Sequence, residues 1–137
     1  MFGRFLLAAL VSALVAIAHG HAQPLEATQQ PLLTGIKQSI ARTIGAESST
    51  VEIHVTSRIF TVRLVNSKFN EGTAAGRENE AAAIEPIVSK EIARTPQFKG
   101  IVTIHVQYVR TTIGRTRVVD SIEFRKDASG AFRHHIT

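Results

Sequence analysis

An α+β two-layer sandwich is the fold class this sequence predicts, with a mainly antiparallel four-stranded sheet and two helices on one face, in the order α-β-β-α-β-β. Three observations predict it. Two stretches carry apolar residues at spacings of three and four, four stretches alternate apolar with polar, and short polar connections pair consecutive strands.

The chain opens with Met1 to Arg4, which supply one cation, and continues from Phe5 to Ala18 as an apolar run interrupted by Ser12. That pattern is the start and hydrophobic stretch of a secretory signal. The run ends at His19-Gly20-His21, short of the roughly 20 apolar residues that span a bilayer. Residues 1–22 are therefore read as a signal peptide cut after Ala22, residues 23–30 as a polar leader, and residues 31–137 as one α+β domain. The expected location is exported, periplasmic or extracellular, with no permanent membrane anchor. There is no cysteine, which excludes disulfides, thiolate metal sites and a cysteine nucleophile.

Pro31 suits a first helical position, and Leu33, Ile36, Ile40 and Ile44 make one apolar stripe, so the first helix is expected from Leu32 to Ile44, closed by Gly45. Val51 to Thr56 alternates, and Phe60, Val62 and Leu64 follow beyond Ser57-Arg58, which reads as a β-hairpin whose turn has no glycine. The second helix is expected over Ala74 to Arg94, with Ala81, Ile84, Val88 and Ile92 as its stripe and a kink or restart at Pro86. Ile101 to Val109 and Thr116 to Arg125 read as two more strands around a turn, and Asp127-Ala128-Ser129-Gly130 as a turn before a frayed end. The trio Ile-His-Val occurs in both hairpins, a match too short to establish a duplication.

If Ile53 and Ile104 face the helices, the other sheet face presents Glu52, His54, Thr56, Arg63, Thr103, His105, Gln107, Arg117, Glu123 and Arg125. The candidate binding residues are His54, Arg63 and His105 on this platform, and Arg110, Arg115 and Arg117 in the densest group of cations. Were the strands of His54 and His105 adjacent, the pair would meet near Glu52 or Glu123, a two-histidine, one-carboxylate arrangement; nothing in the spacing demands it, and no metal or cofactor is assigned. Asp120 falls on the inward side of its strand, where a carboxylate needs a partner; the simpler expectation is a bulge at Asp120-Ser121, which turns it to solvent and shifts Val119 inward.

The excess of 16 basic over 11 acidic residues is mild. One tyrosine and no tryptophan leave little to stack on bases, and nucleic acid is not expected as a partner. No catalytic motif is recognisable, and enzymatic activity is not expected. The function expected is an exported, non-enzymatic binding or interaction domain of the cell envelope or exterior, contacting a protein or an anionic envelope component through a sheet face or edge and the arginine hairpin. A homodimer through a sheet edge or face fits the same pattern. Two alternatives stay open: a small hydrolase- or isomerase-like enzyme with a sheet histidine as general base, and a copper protein. The second follows if the signal is cut after Ala18 or Gly20, leaving His19 or His21 at the amino terminus, a nitrogen ligand set that favours Cu(II).

Overall fold

The computed structural model describes residues 25–136; the stretch expected to be a signal, with His19 and His21, and Thr137 lie outside them. Helix α1 spans Leu25–Ile44. It begins well before Leu32, because Leu25 to Gln30 are adequate helix formers and Gln29 is itself buried. Pro31 is therefore inside the helix, where it leaves one backbone carbonyl without its usual partner. At the other end Gly45 takes the left-handed conformation, φ 66°, and the Ala46 amide donates to the Ala41 carbonyl at 2.9 Å, closing a Schellman cap.

Strands β1 (Val51–Val55) and β2 (Ile59–Val65) form the expected antiparallel hairpin. Its turn needs no glycine because the Thr56 hydroxyl accepts from the Arg58 and Ile59 amides, at 3.3 and 3.0 Å. Helix α2 (Ala74–Arg94) starts at Thr73, whose hydroxyl accepts from the Gly76 amide at 3.1 Å. It runs through Pro86 as one element without a restart, with Ala81, Ile84, Val88 and Ile92 buried. Strands β3 (Thr103–Thr112), β4 (Arg115–Lys126) and β5 (Phe132–His135) complete the chain.

The α+β class holds, but the sheet differs from expectation in two respects: it has five strands, in the order β1-β2-β3-β4-β5, and it is mixed. Strands β2 and β3 pair in parallel, Phe60 opposite Ile104 and Leu64 opposite Tyr108. The cause is α2. A helix of 21 residues is about 30 Å long, enough to carry the chain back along the sheet to the end where β2 began, so β3 starts there and runs the same way. The turn at residues 127–130 is the expected one, but it is followed by a paired strand where a frayed end was expected. The Asp127 carboxylate accepts from the Ser129 and Ala131 amides at 2.8 and 3.0 Å, and from Arg133 Nε at 3.1 Å, while Phe132 is buried under the sheet.

Both helices lie on the face formed by Val51, Val55, Phe60, Val62, Leu64, Ile104, Val106, Ile122 and Phe124, which with the helix stripes makes one core. Phe98 fills the corner after α2, edge-on to Phe60 at 5.7 Å between ring centres. Beside it, a side chain on Gly100 would meet the Ser57 carbonyl at 2.8 Å, so only glycine lets the chain pass beneath the β1–β2 turn into β3.

A bulge interrupts the β3–β4 ladder one residue from where it is expected: Tyr108 pairs with Asp120 and Val109 with Val118, leaving Val119 unpaired and packed on the core. Asp120 therefore stays on the helix side and finds its partner there. Arg77 Nε donates to it at 2.7 Å, and Arg77 Nη1 donates to the carbonyls of Phe69 and Gly72 at 3.1 and 2.9 Å. The Tyr108 hydroxyl in turn donates to the Arg77 carbonyl at 2.8 Å.

Removing Arg77 strands Asp120 and two carbonyls. Arg77→Ala is expected to destabilise the domain by about 2–3 kcal/mol in urea unfolding, well beyond an exposed arginine such as Arg58; equal midpoints for the two variants would refute the clamp. The Asp127 carboxyl is held down to about 2 by Ser129 and Arg133, from an ordinary 3.8. Its stabilising effect is complete above 3.8 and lost as pH falls through about 2. Amide exchange at Phe132 to His135 should accelerate over that window, and in Asp127→Ala it should be fast throughout.

Candidate functional site

The face without helices carries the polar platform, and strand register arranges it in rows. One row crosses all five strands as His54, Thr61, His105, Glu123 and His135; beside it run Glu52, Arg63, Gln107 and Ser121. His54 and His105 are not on adjacent strands. β2 lies between them with Thr61 in the gap, which removes the basis for a His54–His105 pair. Each histidine has its own carboxylate: His54 Nε2 lies 3.7 Å from Glu52, and His105 Nε2 lies 3.2 Å from Glu123. The hydrogen bond from Arg125 to Glu123, helped by His105, holds the Glu123 carboxyl below the usual range. Among the described residues no group of three or more potential metal ligands converges.

The arginines of the platform are neutralised. Arg63 pairs with Glu52 at 3.1 Å, Arg125 with Glu123, and Arg133 with Asp127 at 3.1 Å. Arg117, expected on this face, is on the other one, because the bulge at Val119 reverses the alternation below it. There it sits directly opposite Arg110, with Arg115 two residues along on the same side.

These three arginines belong to an arm. β2 stops pairing at Val109 and β5 reaches only Glu123, so residues 110–117 project as a two-stranded ribbon with no neighbouring strand on either side. Arg110 is tied back to Glu71 in the loop before α2. Arg115 and Arg117 are exposed and have no ion-pair partner among the described residues. At the apex Ile113 is fully exposed, and Val118 at the root of the arm is 46% exposed. The six residues singled out from the sequence thus divide between two places: His54, Arg63 and His105 on the flat face, and Arg110, Arg115 and Arg117 on the arm.

A third place was missed from the sequence. Glu80 is only 8% exposed, on the floor of a groove between the end of α1, the loop after β2 and α2. Burial pushes its carboxyl above the ordinary 4.5, against smaller downward pulls from Tyr108, Lys68 and Ser67. Tyr108 is likewise pushed up, by burial and by Glu80. The sequence signal was helical phase. Arg77, Glu80, Ala81 and Ile84 recur at three and four, so Glu80 continues the buried stripe although its charge groups it with Glu78 and Glu85.

Compared with known proteins, the chain matches no family model, no curated protein and no solved structure. Function therefore rests on this geometry.

A carboxyl whose folded value is raised keeps its proton to higher pH in the folded chain than in the unfolded one. Its contribution is complete below 4.5 and is lost as pH rises through the folded value, so ionised Glu80 destabilises the domain at neutral pH. Glu80→Gln should raise the thermal midpoint at pH 7 and lose that advantage at pH 4. A difference independent of pH would show that burial does not perturb the group.

Proposed function

We propose that this is an exported, non-enzymatic binding domain of the cell envelope or exterior that engages an anionic surface through the β3–β4 arm. One observation carries the reading: a ribbon beyond the sheet's edges presents two arginines without partners below an exposed isoleucine. On the flat face the three arginines are each matched by a carboxylate. The unspent positive charge at the arm and its apolar apex together suit a headgroup layer, cations at the phosphates and Ile113 among the first methylenes. The absence of a spanning helix among the described residues is compatible with surface contact. Export is supported by the apolar run of residues 5–18 behind Arg4. A binding role for the platform is favoured over general-base catalysis because His54 is exposed on an open face and separated from His105 by Thr61.

Co-sedimentation with phosphatidylglycerol vesicles, against phosphatidylcholine vesicles, tests the arm. At about 1 kcal/mol per arginine near an anionic surface, Arg115→Ser with Arg117→Ser is expected to weaken binding by about 2 kcal/mol, roughly 30-fold, and added salt to do the same to the wild type. Undiminished binding by the double variant would refute the proposal. Intact mass of the protein from the exported fraction should correspond to a chain starting at Gln23; the full chain held in the cytosol would overturn export.

A further inference from the structure

The groove over Glu80 has two lobes. One, of about 210 Å³, is walled by Ile44, Leu64 and Ser67; the other, of about 360 Å³, is walled by Phe69, Gly76 and Ala83. Ile44 and Glu80 line both, so the two lobes adjoin at these residues. A carboxylate this deep is retained at a cost to stability unless it is well bonded. Here it is poorly bonded. The Ser67 hydroxyl is 3.5 Å away, at the limit of a hydrogen bond, and the neighbouring Tyr108 hydroxyl directs its proton to the Arg77 carbonyl. The nearest cation, Lys68, does not ion-pair with it; its ammonium lies over the Phe69 ring, 5.2 Å from the centre. The groove therefore presents a carboxylate with a long hydrogen bond from Ser67, the Tyr108 hydroxyl beside it and no ion-pair partner among the described residues, between aliphatic and aromatic walls.

We infer that this groove is a binding site for a small primary amine on an apolar stem, with Glu80 as the counter-ion. The ammonium takes the carboxylate where the lobes adjoin in a charge-assisted hydrogen bond, and the stem lies in a lobe against Ile44 and Leu64 or Phe69. Lys68 limits affinity, since its charge sits beside the one the ligand brings. The site is independent of the arm and of any anionic surface.

The test is an amide chemical-shift titration with n-butylamine at neutral pH on the full mature chain, repeated with n-butanol as the uncharged counterpart. The expected result is a saturable response confined to Ile44, Gly45, Ser67, Gly76 and Asn79, absent with butanol. Glu80→Gln, which keeps shape and removes charge, should weaken the response at least about tenfold, and Lys68→Met should strengthen it. Because these two variants act in opposite directions, a general loss of structure cannot imitate the pattern. Equal binding by Glu80→Gln, a response spread over surface carboxylates, or none at all overturns the site.

Discussion

Arg77 decides where the two halves of this domain meet. Its backbone is in the first turn of α2, its guanidinium holds two carbonyls of the loop that enters the helix, and the same group reaches across to Asp120 on β4. A guanidinium is suited to this because its donors form a rigid planar fork that engages several acceptors at once without losing its charge. The loop from Asn66 to Thr73 has little apolar content to bury and is pinned by polar contacts: Asn70 Nδ2 donates to the Val109 carbonyl at 3.0 Å, and Asn66 Oδ1 accepts from the Thr111 amide at 2.9 Å. Those contacts carry the start of α2 over the end of β3, and so set where Glu80 and Tyr108 come to lie.

The bulge at Val119 adds a second consequence to the same junction. By placing one more residue on β4 than on β3 beyond Asp120, it leaves Asp120 in regular register on the side of Arg77 and turns Arg117 to the side of Arg110. A regular ladder would have put Arg117 on the flat face, among charges that are already paired. One inserted residue therefore concentrates unpaired cations on the arm and leaves the flat face close to electrically balanced.

Much of this was legible from spacing alone. The alternation of Phe60, Val62 and Leu64 and of Ile104, Val106 and Tyr108 marks the inward face, and the stripe from Ala81 to Ile92 marks the inner side of α2. What escaped was decided by longer-range geometry. The direction of β3 depends on how far a helix carries the chain, and strand β5 on a carboxylate that folds its own turn at Asp127. Of the site residues, Asp120 could be singled out because it breaks an apolar pattern; Glu80 breaks one too, but its neighbours Glu78 and Glu85 disguise it as part of a solvated helix start.

The parallel seam between β2 and β3 bears on how the chain reaches this state. Every other strand pair is a hairpin between consecutive elements, so its ends meet with little loss of chain entropy. The seam joins Ile59 to Thr103 and Val65 to Val109, with the whole of α2 and both its flanking loops in the intervening chain. Closing that long loop is the entropically demanding event in forming the sheet, and its reward comes only when α2 settles on the paired strands. The slow step of folding then belongs to the middle of the molecule, where neither the β1–β2 hairpin nor the β3–β4–β5 meander alone can nucleate it, and an incompletely folded chain would expose these two pieces with their inner edges, β2 and β3, free to pair with another copy.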